Sequence, residues 1–215
     1  MGFMMEKGIL FDMDGTLWDA SEQVAAAWNA ALAERPDTAG LHITTEQMRG
    51  MMGKTMTDIF DALLPSADGK CREEIAGKCC RMENDCLRRH GAKLYPRVAE
   101  TLETLSRSYR LFIVSNCQSG YIEAFLDFYG FGGLVADTEC FGRTGKNKGD
   151  NIRLLVKRNR LRRAVYVGDT QLDFESAKYA GLPFIHAAYG YGETKGAPYA
   201  VGMFSELTEV VPKIL

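Results

Sequence analysis

Apolar residues along this chain follow two rhythms, short runs that stop abruptly at polar residues and longer stretches with apolar positions at helical spacing. The runs predict buried strands and the spaced stretches predict amphipathic helices. Gly8-Ile9-Leu10-Phe11 stops at Asp12, Leu111–Val114 stops at Ser115-Asn116, and Ala164–Val167 stops at Gly168-Asp169. Leu134-Val135-Ala136 and Phe184-Ile185 are weaker runs of the same kind. Between them lie helical patterns: Val98, Leu102 and Leu105; Tyr121, Ile122, Phe125, Leu126 and Tyr129; Ile152, Leu155 and Val156; Asp173–Ala180; and Glu206–Ile214. Gly130 and Gly181-Leu182-Pro183 supply helix stops. Strands alternating with helices imply a parallel sheet covered on both faces.

Residues 17–93 break that alternation, with helical patterns and no strand run. Asp19 or Ser21 can cap an alanine-rich helix that must end before Pro36, Asp19 with Glu22 having the spacing of a capping box. Thr44 and Gln47 repeat the spacing before a short helix that stops near Gly50. A turn over Gly50–Lys54, a helix over Thr55–Leu64, a break at Pro65–Gly69 and a long helix over Lys70–His90 complete the segment. The expected architecture is α/β, a doubly wound parallel sheet built from residues 1–16 and 94–215, with an all-helical insertion over 17–93.

The strongest runs end in Asp12, Ser115 and Asp169, and in a parallel sheet those ends share one edge, where open α/β sheets bind ligands. Asp12 and Asp14 crowd two carboxylates into one small space, which is costly unless a cation joins them. Converging carboxylates suit a hard, oxygen-seeking cation, and magnesium is the usual one beside phosphate.

Four stretches in order carry a resemblance: Asp12-Met13-Asp14-Gly15-Thr16, Ser115-Asn116, Lys146-Asn147-Lys148, and Gly168-Asp169-Thr170 with Asp173. Together they resemble the haloacid dehalogenase superfamily of phosphohydrolases, in the group similar to phosphoglycolate phosphatase and β-phosphoglucomutase. The resemblance covers essentially the whole chain. It implies a Rossmann-like core with a helical cap after the first strand. It further implies that Asp12 attacks phosphorus to give an aspartyl-phosphate, which water then hydrolyses, and that Asp14 protonates the leaving alkoxide and then deprotonates water. Asp14 must be protonated for the first step, so its folded pKa is expected above the ordinary carboxylate value. Mg2+ would be held by Asp12, Asp169 and the backbone carbonyl of Asp14, with Asp173 as a ligand, an orienting partner or only a helix cap. Ser115 and Asn116 would hold phosphate oxygens, and Thr16 belongs to the substrate-binding set. Lys148 opens a helix as the family's lysine does; Lys146, across one asparagine, is the alternative. Gly53 and Lys54 stand where related caps contact substrate, and Lys54 would meet a carboxylate or second phosphate.

Composition narrows the setting. Hydrophobic content of 46% and charged content of 25% over 215 residues are ordinary for a globular protein, and a formal net charge of -2 argues against nucleic acid as a partner. No apolar run reaches the length of a membrane span, and Met1–Glu6 lacks the basic start and apolar segment of a signal peptide. A cytoplasmic location is expected. The six cysteines include no Cys-x-x-Cys pair, which argues against a structural zinc site, and the histidines are scattered without an assigned catalytic role. The expectation is a Mg-dependent phosphatase of a small phosphorylated metabolite. A β-phosphoglucomutase-like transferase and a non-catalytic binding module are the rivals; retention of Thr16 and the complete motif set count against them. The substrate and the oligomeric state are not legible.

Overall fold

The structure, a computed structural model, describes residues 6–38 and 40–215; the expectation about a leader rests on the first residues, outside that range. In chain order the elements are β1 (Lys7–Phe11), β2 (Trp18–Asp19), α1 (Ser21–Ala33), α2 (Thr45–Arg49), α3 (Met56–Leu63), α4 (Gly69–His90), β3 (Lys93–Leu94), α5 (Val98–Ser106), β4 (Arg110–Ser115), α6 (Tyr121–Tyr129), β5 (Val135–Cys140), α7 (Phe141–Thr144), α8 (Lys148–Arg158), β6 (Arg163–Gly168), α9 (Gln171–Ala180), β7 (Phe184–Ala187), β8 (Tyr199–Val201) and α10 (Leu207–Ile214).

Six strands form one sheet in the order β5-β4-β1-β6-β7-β8, and every pairing is parallel. This is the doubly wound, Rossmann-like α/β fold expected. β1 lies at the centre, where the chain turns from building one half of the sheet to building the other. The carboxyl ends of β1 and its neighbours therefore border the crevice that this topology reserves for ligands. Alternation along the strands splits the interior in two. Ile9, Phe11, Leu111, Ile113, Val165 and Val167 face a core covered by α5, α6 and α10. Leu10, Phe112, Val114 and Tyr166 face a second core closed by Ile152 and Leu155 of α8 and Ala177 of α9.

Helices α1–α4 stack over that crevice. Trp28 of α1 lies against Phe60 of α3, ring centroids 4.9 Å apart, and donates its indole N–H to Glu83 of α4 at 2.7 Å. Thr44 caps α2 through the expected box with Gln47. Two expectations are corrected. The segment is not free of strand: β2 and β3 pair antiparallel, Trp18 with Leu94 and Asp19 with Lys93, and tie together the two chain crossings. Two-residue strands are too short to show an alternation. Asp19 also does not cap α1, nor does Ser21; Ala20 occupies the N-cap without a side-chain bond. The Asp19 carboxylate is drawn instead to Ser21, to Tyr191 at 2.7 Å and to Arg49 at 2.8 Å. β8 had no counterpart in the sequence reading. No described helix is long and apolar enough to cross a membrane.

Candidate active site

The end of β1 carries Asp12, fully buried, and Lys148 donates to it at 2.9 Å. Lys148 reaches the sheet edge because α8 begins at that residue. Asn147 caps the helix by accepting the Asp150 N–H at 2.9 Å, and the lysine side chain turns back into the crevice, 2% exposed. Lys146 remains on the surface. Of the two candidates, the structure brings Lys148 to the acidic cluster.

Asp173 accepts a second bond from Lys148, at 2.7 Å, and a longer one from the Tyr166 hydroxyl at 3.3 Å. It also completes a capping box with Thr170 at the start of α9. Cap and lysine partner are thus one residue. Asp169, at the end of β6, accepts the N–H of Tyr191 at 2.9 Å and that of Gly192 at 3.3 Å. The loop after β7 can approach this closely because Gly190 and Gly192 lack a Cβ: one at Gly190 would lie 2.4 Å from the Asp169 Cβ. Gly15 meets the same limit from the other side, at φ +82°, where a Cβ would lie 2.2 Å from an Asp169 oxygen. Thr16 is buried against Asp169, with its hydroxyl 3.5 Å from Oδ1, and its carbonyl accepts the Tyr189 hydroxyl at 2.8 Å.

Carboxylate oxygens of Asp12, Asp169 and Asp173 all lie within 4.8 Å of one another. Burial and the charges of Asp173 and Asp169 push Asp12 up to about 7, with Lys148 pulling the other way. Burial and Asp173 push Asp169 up to about 7 as well. Lys148 stays protonated despite its burial, because the Asp12 and Asp173 charges raise it above its ordinary range. One ammonium among three acids leaves negative charge uncompensated, which is the environment a hard cation relieves.

Asp14 points the other way. Its Oδ1 accepts the hydroxyl of buried Tyr121, first residue of α6, at 2.7 Å. Burial and the Asp12 charge push Asp14 up to about 7, although the Tyr121 hydrogen bond lowers it. Asp14 lines a small cavity of about 30 Å³ whose walls include Ser115, Asn116, Gln118 and Tyr121 from the sheet side and Trp28, Met48, Met51, Met52 and Glu83 from the helices. The Asn116 amide crosses between the layers, donating to the Gly53 carbonyl at 2.9 Å. Lys54 is exposed at the rim and also lines a wider cleft, about 480 Å³, that reaches Lys148.

The structure thus gathers Asp12, Asp14, Thr16, Ser115, Asn116, Lys148 and Asp169 at one sheet edge, with Gly53 and Lys54 facing them. Tyr121, Glu83 and the Tyr189–Gly192 loop were missed. Only the loop carried a signal, the Gly-Tyr-Gly that follows the Phe184-Ile185 strand run.

Comparison with known proteins agrees with this geometry. Residues 9–187 match the family of haloacid dehalogenase-like hydrolases. A phosphoglycolate phosphatase of Aquifex aeolicus is 29% identical over 196 residues, covering 85% of each chain. An N-acetylmuramic acid 6-phosphate phosphatase of Pseudomonas putida is also 29% identical, over 199 residues, 87% of this chain and 85% of that one. A crystal structure described as a predicted phosphoglycolate phosphatase, from Haemophilus somnus, superposes with a TM-score of 0.79 at 21% identity, covering 98% of this chain and all of the other. The chain belongs to the haloacid dehalogenase-like hydrolase family, as a phosphoric monoester hydrolase.

Proposed function

We propose that the protein is a magnesium-dependent phosphatase of small phosphomonoesters that works through Asp12. The observation that carries this reading is the division of the two motif acids. Asp12 sits against Lys148 and the acidic cluster, and Asp14 is held by Tyr121 at the mouth of a separate cavity. On this reading one carboxylate meets phosphorus and the other meets the leaving group.

Asp12 Oδ attacks phosphorus while the bond from phosphorus to the ester oxygen breaks. Asp14, carrying its proton, gives it to the departing alkoxide. Water then attacks the aspartyl-phosphate, Asp14 takes the proton back, and phosphate leaves with Asp12 restored. Lys148 and the donors at Ser115 and Asn116 offset charge on the phosphoryl oxygens. Asp12, Asp169 and the Asp14 carbonyl would hold magnesium, which when bound supplies the positive charge the acidic cluster lacks. Asp173 serves from behind by holding Lys148.

Helices α1–α4, residues 17–93, act as a cap on a core of residues 1–16 and 94–215, hinged at the β2–β3 pair. Six free cysteines support a cytoplasmic enzyme.

The test is phosphate release from a panel of phosphomonoesters with and without Mg2+, in the wild type and in Asp12→Asn. Release that requires the metal and vanishes in the variant is expected; metal-dependent release that survives in Asp12→Asn rejects the reading. A sugar 1-phosphate in the panel reports transfer, should the 6-phosphate form instead of free phosphate.

A further inference from the structure

The cavity beside Asp14 has a donor–acceptor character of its own. Asn84 fixes it from α4. Its amide donates to the Ser119 carbonyl at 3.0 Å, so its Oδ1 must be the acceptor for the Gln118 amide, also at 3.0 Å. That commits the Gln118 nitrogen and leaves Gln118 Oε1 without a partner. Asn116 repeats the pattern. Its nitrogen donates to Gly53, and its Oδ1, equally buried, is without a partner. The Tyr121 hydroxyl donates its hydrogen bond to Asp14 and offers the cavity only lone pairs. Glu83, 2% exposed, adds a carboxyl that already draws on the Trp28 N–H.

The cavity therefore has two buried acceptors, Asn116 Oδ1 and Gln118 Oε1, left unmet on residues that line it, and such acceptors are costly. It calls for a molecule that brings donors. Lys54, at the exposed rim, is the one cation among the described lining residues. Opposite the acceptors, Met48, Met51, Met52 and Met56 form a soft apolar wall suited to C–H faces. The space, about 30 Å³, shares Lys54 and Asn116 with the wider cleft that reaches Lys148.

Resting on the phosphatase reading above, we propose that the substrate's leaving group is a compact, neutral, hydroxyl-bearing alcohol, a small polyol rather than a hydroxy acid. Polyol hydroxyls donate to Asn116 Oδ1 and Gln118 Oε1 while the carbon faces lie on the methionines. A hydroxy-acid carboxylate brings only acceptors and leaves Asn116 Oδ1 and Gln118 Oε1 unmet. Asn116 and Gln118 are thus specificity residues, and the preference runs against the substrate named for the phosphoglycolate phosphatases among the relatives.

The experiment compares kcat/KM for glycerol phosphate and 2-phosphoglycolate, with p-nitrophenyl phosphate as an unselective ester and Mg2+ present throughout. The wild type is expected to favour glycerol phosphate by roughly tenfold or more, the discrimination that a few unmet hydrogen bonds supply. Gln118→Met removes one of the unmet acceptors, and the ratio is expected to move toward phosphoglycolate. The ratio is insensitive to how much of the variant is folded. A wild type that prefers phosphoglycolate, above all if Lys54→Ala removes that preference, overturns the substrate class and leaves the phosphatase standing. No release even from p-nitrophenyl phosphate overturns the phosphatase reading, and the substrate class with it.

Discussion

Around Lys148 the buried polar atoms are cross-bonded, whereas around Tyr121 two are left open. On the first side Asp12, Asp173, Tyr166 and Thr170 share a continuous network with the lysine, and Asp169 is held by two backbone N–H groups. On the second, Asn116 Oδ1 and Gln118 Oε1 are buried without partners, on residues that line the cavity. The closed side suits the part of a substrate that never varies, a phosphoryl group. The open side suits the part that does vary, because unmet acceptors discriminate among leaving groups. The two enzymes named above, equally similar to this chain, carry names with different substrates, as expected if specificity lies outside the shared motifs.

The largest effects should come from the closed side. Asp12→Asn removes the proposed nucleophile and should lower kcat by roughly 10³-fold or more on every ester alike. A substrate-dependent loss would break the comparison, because it would mean that the phosphate side also selects. Lys148→Met should lower kcat by about 10²–10³-fold, the scale of one lost charge-stabilising donor. It also leaves Asp12 and Asp173 buried without their cation, a loss of roughly 3–5 kcal/mol in stability. Denaturant melts in chelator will show the full loss, and added Mg2+ should recover part of the stability without restoring kcat.

Glu83 tests the open side through pH. Burial pushes its carboxyl from an ordinary 4.5 up to about 8, against the pull of the Trp28 N–H. The folded protein therefore keeps a proton that the unfolded chain releases. Stability from this group is fully present below pH 4.5 and is lost as pH rises through about 8. Glu83→Gln cannot titrate, so between those limits its stability should fall less steeply with pH than the wild type's, by up to about 1.4 kcal/mol per pH unit. Parallel slopes in urea melts from pH 5 to 8 would show that Glu83 is charged in the fold.

What the sequence revealed follows the same division. The closed side is contiguous in sequence with apolar strand runs, so Asp12, Ser115 and Asp169 could be placed on one edge from the runs alone, and Asp14, Thr16 and Lys148 from the motifs around them. Lys148 against Lys146 could not be separated by spacing; burial at the first residue of α8 separates them. The open side is assembled across the chain. Glu83 lies in the middle of a 22-residue helix, where its spacing reads as an ordinary polar position, and only the packing of α4 on α1 puts it against Trp28. Tyr121 reads as one more aromatic on an amphipathic face, and its hydroxyl finds Asp14 across 107 positions of sequence. The β2–β3 pair and the Asp19 cross-links fail to show for the same reason, since short strands and long-range ion pairs leave no periodic trace.

Tyr121 carries the smallest predicted effect and the sharpest. Its hydroxyl holds Asp14 Oδ1, and on the proposed mechanism it orients the acid that delivers a proton to the leaving oxygen. The ring packs edge-on against Trp18, centroids 5.6 Å apart, so Tyr121→Phe keeps the packing and removes one hydrogen bond. A misaligned general acid matters only where the leaving group needs a proton. An alkyl phosphate leaves as a strongly basic alkoxide, whereas p-nitrophenolate departs readily without one. The variant should therefore lose roughly tenfold in kcat on glycerol phosphate and almost nothing on p-nitrophenyl phosphate, provided that chemistry limits both. Equal losses on the two esters would assign Tyr121 to the scaffold and leave Asp14 oriented by the turn at Gly15 alone. Unequal losses would show that the open side, besides choosing the alcohol, helps to expel it.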